Sequence, residues 1–192
     1  MNFKTRLWEN IFVFILLFTL SFSFFYKSLN VFFVQDDFIL IDYFSQNSLF
    51  KDLINVLRYQ SVTHWRPLYN LYFLISGNLL GKFYPGYHSF TLMIHATLAF
   101  MIFKVLKLLT KNAKASILAA IIYTVHPSHF VSIFWISGSA TTIGFLFLVS
   151  SFYLYLKNQK KWALVIFALS LLASEAMVVG TVIFATYEFL IK

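Results

Sequence analysis

Two apolar runs set the terms for this chain. Ile11 to Phe25 is apolar apart from Thr19, Ser21 and Ser23. Tyr87 to Leu109 is apolar apart from His88, His95, two lysines and a few hydroxyls. A helix of roughly 20 such residues matches the hydrocarbon thickness of a bilayer, where every backbone amide must find its partner within the segment. Charged residues make up 11% of the chain and hydrophobic ones 60%, against roughly 25% charged in soluble domains. The sequence therefore reads as an all-α, polytopic transmembrane protein, with residues 1–192 forming a single membrane domain.

The lysines then assign sides. Lys4 and Arg6 precede the first run, Lys104, Lys107, Lys111 and Lys114 end the second, Lys157, Lys160 and Lys161 form a third cluster, and Lys192 ends the chain. These are ten of the fifteen basic residues; assigned to cytoplasmic segments, they predict about six spans with both ends inside. Span 1 covers about 7–26, an outer loop covers 27–86, and the remaining spans fill 87–191. Ser21-Phe22-Ser23 is a poor cleavage site among bulky aromatics, so span 1 reads as an uncleaved anchor with a cytoplasmic N-terminus. Several spans after residue 114 are short for a bilayer, which predicts broken or re-entrant helices.

Composition also excludes. The absence of cysteine rules out disulfides and thiol nucleophiles. A net charge of +8 would suggest nucleic acid in a soluble protein, but here the lysines sit at span ends, and no nucleic-acid partner is expected. No P-loop or dinucleotide fingerprint is present.

The outer loop holds the balanced charges. Apolar residues at 49, 50, 53, 54, 56 and 57 alternate with Lys51, Asp52, Asn55 and Arg58 in helical period, which predicts an amphipathic helix lying on the membrane surface. Leu68 to Leu80 is too short and too often interrupted to read as a span.

By this topology Asp36, Asp37, His64 to Arg66, His88, His126, His129 and Glu175 share the non-cytoplasmic side. A carboxylate can take the proton of an attacking hydroxyl, and a guanidinium suits a phosphate. Each residue also has a plainer role open to it. Asp36 and Asp37 could simply end span 1. Arg66 could pair with Asp42 or Asp52. His126 and His129, three apart, could ligate a metal with Glu175 or could stabilise a turn, the turn being the better supported. His95 should bond a neighbouring helix, and Glu175, flanked by apolar residues, should have a partner.

The ordered set of Asp36-Asp37, Arg66-Pro67-Leu68, Pro85-Gly86-Tyr87-His88 with His95, His126-Pro127-Ser128-His129, Trp135-Ile136-Ser137-Gly138-Ser139-Ala140, Ser174-Glu175 and Tyr187-Glu188 resembles the polytopic C-type glycosyltransferases. Within them it is most similar to the transmembrane O-mannosyltransferases that carry tetratricopeptide repeats, and to their bacterial relatives. The resemblance implies transfer of a sugar from a polyprenyl-phosphate carrier to a protein or glycan acceptor at the outer face. It implies Asp36 as general base with Asp37 beside it. Arg66, His88, His126, His129 and Glu175 are then expected to line the substrate cleft, with no cofactor required and a divalent metal left open. A bacterial plasma membrane is the expected setting ahead of the endoplasmic reticulum. Ser174 departs from the lysine usual in that family, and family members continue for several more spans, so these residues are expected to be the N-terminal part of a longer enzyme. The rival readings are a transporter or channel subunit that relays protons or ions, and a non-catalytic remnant.

Overall fold

A computed structural model of the chain describes residues 3–45, 49–58 and 64–191. Among the described residues every regular element is helical: α1 (Phe3–Phe25), α2 (Asp36–Ser45), α3 (Leu49–Arg58), α4 (Pro67–Leu80), α5 (Tyr84–Thr110), α6 (Ala113–Val125), α7 (Phe130–Phe134), α8 (Ser139–Leu156), α9 (Lys160–Ala173) and α10 (Gly180–Thr186), with short 3-10 and π turns between and after them.

Two tight reversals build the bundle. Lys111, in the left-handed region at φ 55, ends α5, and the Asn112 side chain caps α6 by accepting from the Ala115 amide at 3.1 Å. Asn158, at φ 61, plays the corresponding part between α8 and α9. Turns this short make the paired helices antiparallel neighbours. The lysines of 104–114 and 157–161 therefore gather at one end of the bundle, and the starts of α5 and α8 at the other. At the lysine end Lys107 Nζ meets Glu9 Oε1 at 2.6 Å, which ties α1 to α5. Val13 and Leu17 of α1 pack with Ala99, Phe103 and Ala120. Farther along, the Ser21 hydroxyl donates to the Leu92 carbonyl at 3.4 Å.

Of the six spans expected, the structure supports three to four. Among the described residues three helical segments are long and apolar enough to cross a membrane: 7–30, 84–110 and 136–156. A fourth arises if 113–125 and 127–134, bent by 46° at Pro127, count as one broken span. That bend is the interruption the short apolar runs foretold. The physical reason for the shortfall lies in α9 and α10. At 1.5 Å per residue the 14 residues of α9 reach only about 21 Å, short of a hydrocarbon core of about 30 Å. Ser174 and Glu175 then break the chain into a 3-10 turn before α10.

The amphipathic helix forms where the periodicity placed it, as α3. Val56 is buried, and its carbonyl accepts from Asn70 Nδ2 on α4 at 3.1 Å. Leu53, Ile54 and Leu57 remain more than half exposed. At the other end of the bundle from the lysines, Phe33, Phe44, Phe73, Tyr87 and Ile136 form the largest core cluster. It lies directly beneath the residues of the site.

Candidate functional site

The site begins with a four-residue turn. Gln35 adopts φ 47, a left-handed conformation uncommon outside glycine and of the kind that clusters at functional positions. Around it the Asp37 amide donates to the Val34 carbonyl at 3.0 Å. The Val34 amide in turn donates to Asp37 Oδ2, also at 3.0 Å. The turn closed by the backbone bond, with the Asp37 carboxylate satisfying the amide three residues earlier, leads into α2. The other oxygen of Asp37 is taken as well: Oδ1 accepts from the Ser137 amide at 2.8 Å and from the Ser137 hydroxyl at 2.5 Å. With 1% of its surface exposed, Asp37 is a buried strut between the start of α2 and the loop before α8.

Its neighbour has the opposite environment. Asp36 is exposed and lines a cavity of about 880 Å³. Among the described residues no hydrogen bond or ion pair engages its carboxylate. Tyr69, Tyr123 and Trp135 supply aromatic walls to the cavity, while Arg66 and His129 supply polar ones.

Arg66 stands just before α4, whose N-terminal end meets the C-terminal end of α9. That packing carries Glu175 to the guanidinium across 109 residues of sequence. Arg66 Nε donates to Oε2 at 2.8 Å and Nη2 to Oε1 at 2.5 Å. His64 Nδ1 lies 3.0 Å from the same Oε1. The hydrogen-bonded guanidinium holds the Glu175 carboxyl down at about 2, and the same pair raises Arg66. The two shifts agree in direction, as a bidentate pair should. Glu175 thus has the partner its apolar flanks required, and it is Glu175 rather than Asp42 that Arg66 meets; the alternative at Asp52 lies outside the described side chains.

The histidines divide. His129 lines the cavity, its ring 4.4 Å from that of Tyr123. His126 caps the turn at Pro127, its Nδ1 accepting from the Ser128 amide at 3.2 Å; it is exposed and does not line the cavity. His88 is fully buried away from the cavity, with Nδ1 3.1 Å from the Ile133 carbonyl and Nε2 3.0 Å from that of Val31. It pins α5 to the segments that follow α1 and α6. His95 Nε2 reaches the Thr124 carbonyl of α6 at 3.0 Å, the interhelical bond expected of it. Among the described residues no group of three metal-ligating side chains occurs, so His126, His129 and Glu175 do not converge.

With this geometry in place, one known protein is informative. The chain is 30% identical over 96 residues, half its length, to the human protein O-mannosyl-transferase TMTC3. It spans about a tenth of that protein's length, the match covering 10% of it. This supports a distant relationship. No family model matches the chain, and no solved structure matches it.

The sequence left one functional pairing unread. Ser137 entered only as a member of the Trp135–Ala140 motif, with no role of its own, yet it holds Asp37. Two residues 100 positions apart carry no local periodicity that could link them.

Proposed function

We propose that this chain carries the reaction cleft of a membrane glycosyltransferase, which moves one sugar from a polyprenyl-phosphate carrier to an acceptor hydroxyl on protein or glycan. The observation that carries the reading is the division within the carboxylate pair. Asp37 is consumed by structure, while Asp36 stands exposed and unengaged on the wall of a cavity that Arg66 shares. The relationship to an O-mannosyl-transferase supports sugar transfer as the chemistry.

In this reading Asp36 takes the proton of the acceptor hydroxyl as its oxygen attacks the anomeric carbon. The bond from that carbon to the phosphate oxygen breaks, and the lipid phosphate leaves with the electron pair. A guanidinium has five N–H donors and Glu175 engages two of them, so Arg66 retains donors for a phosphate oxygen. Glu175 acts through Arg66 by fixing its plane. His129 and the aromatic walls border the sugar. The cleft faces the non-cytoplasmic side of the membrane, with the N-terminus inside, in a plasma membrane.

The test is transfer in isolated membranes supplied with polyprenyl-phosphate hexoses. Asp36→Asn should reduce transfer by on the order of 100-fold or more while expression and thermal unfolding stay unchanged. Asp37→Ala should fail differently. It strands the amides of Val34 and Ser137, lowering stability by roughly 3 kcal/mol. Full activity in Asp36→Asn would remove the base assignment.

A further inference from the structure

The lysine end of the bundle carries a second feature. Lys104 of α5 and Lys157 at the end of α8 converge on one ring. Their Nζ atoms lie 5.8 and 5.9 Å from the centre of Tyr153. Lys104 is also 5.8 Å from the ring of Phe100 and 3.5 Å from Asn10 Oδ1. Lys160 sits 5.9 Å from the Tyr155 ring. Aromatic faces attract ammonium groups and here fix where they stand. Two ammonium groups held beside one ring concentrate positive charge there, and an anion brought to that end is attracted to both.

Beside these lysines the bundle has an apolar cleft of about 140 Å³, lined from α5 by Ile102, Val105 and Leu106, from α8 by Phe145, Leu148, Val149 and Phe152, and from α10 by Ile183. That volume is several times the roughly 30 Å³ share of a water molecule, yet no polar side chain lines it. Lys104 lies between Ile102 and Val105 in the chain, and Tyr153 follows Phe152. The cleft therefore runs along the same α5–α8 seam whose end the lysines mark. Glu9 pairs with Lys107, and Glu188 lies on the turn after α10. Lys111, Lys114 and Lys161 add further positive charge at this end.

From this juxtaposition we infer that the α5–α8–α10 seam binds one anionic phospholipid, its phosphate held by Lys104 and Lys157 and part of one acyl chain lying in the cleft. The charge selects an anionic headgroup over a zwitterionic one, and the apolar lining selects a chain over a soluble phosphate. Lys104 and Lys157 lie at the opposite end of α5 and α8 from Asp36, although Phe145 lines both the apolar cleft and the Asp36 cavity; the proposal stands whether or not the transferase reading does.

The experiment is native mass spectrometry of the purified full chain in detergent, titrated separately with dioleoyl phosphatidylglycerol and dioleoyl phosphatidylcholine. One phosphatidylglycerol should be retained in clear preference to phosphatidylcholine. Each of Lys104→Gln and Lys157→Gln should weaken that retention by about five-fold, at about 1 kcal/mol for each basic residue near the headgroups. Val149→Trp, which fills the cleft, should weaken retention of both lipids. Lys157 is exposed, so Lys157→Gln alone is the decisive variant if the buried changes disturb folding. Equal retention of the two lipids overturns the proposal, as does a preference that survives loss of both lysines. Binding of inorganic phosphate with the same lysine dependence, without retained lipid, overturns the acyl-chain half.

Discussion

At the scale of single residues, the molecule assigns different work to side chains the sequence presents as alike. Asp36 and Asp37 are adjacent and chemically identical, and the sequence could place the pair but not divide it. The division depends on Ser137, which reaches Asp37 only once α2 and the loop before α8 are packed. Glu175 was more legible, because a carboxylate between apolar runs requires a partner; which cation answers was settled by the packing of α4 on α9. The Arg66–Glu175 pair has a pH signature. Its carboxyl is held down at about 2 in the folded protein, below an ordinary glutamate near 4.3. A depressed acid pKa contributes stability that is fully present above the unfolded value and lost as pH falls through the folded one. The thermal-unfolding difference between wild type and Glu175→Gln should therefore shrink as pH falls between about pH 4.3 and 2. The side chain is 56% exposed, so the difference is small at any pH and diminishes with added salt. A gap that widens on acidification would contradict the pairing.

At the scale of elements, the helix periodicity of residues 49–58 and the long apolar runs were enough to place α1, α3 and α5. Breaks after residue 114 were legible from apolar runs too short for a bilayer, but the hydropathy pattern alone did not say which of those runs, such as the 14 residues of α9, would stop short of a crossing. Small residues decide how the broken elements seat. A Cβ built on Gly144 of α8 would stand 2.9 Å from Met177 Cγ and 3.2 Å from Ser174 Cβ, so α8 touches the turn that carries Glu175. Gly144→Ala should be mildly destabilising, because the contact is with Cγ near the root of the buried Met177 and the gain of up to about 1 kcal/mol in helix propensity offsets only part of it. Gly144→Val adds two more carbons that Met177 cannot accommodate, and should cost about 1–3 kcal/mol while displacing Glu175 from Arg66. Thermal unfolding of both variants in detergent, each with and without Glu175→Gln, separates the effects. If the Val cost is unchanged in the Glu175→Gln background, the turn does not move as a unit with the ion pair.

At the scale of the whole molecule, the question is which side of the membrane the cavity faces. The antiparallel α5–α6 and α8–α9 pairs place the cavity residues at one end of the bundle and the lysine clusters at the other. The charge bias of loops near span ends then predicts that the lysine end is cytoplasmic. A transferase drawing on polyprenyl-phosphate sugars at the outer face needs that orientation, and the opposite one would remove its donor. The chain is suited to the test because it has no cysteine, so a single introduced thiol is the only one to label. Lys82→Cys sits in the exposed turn between α4 and α5, at the cavity end. Gln159→Cys sits in the exposed turn between α8 and α9, at the lysine end. Applied to intact cells, a membrane-impermeant maleimide should label Lys82→Cys and leave Gln159→Cys unreacted until the cells are permeabilised. The reverse pattern would put Asp36 in the cytoplasm, and the outer-face glycosyltransferase reading would fall with it. Labelling of both thiols in intact cells would mean that α5 and α8 do not cross the bilayer as a pair, which would undo the topology on which both proposed sites depend.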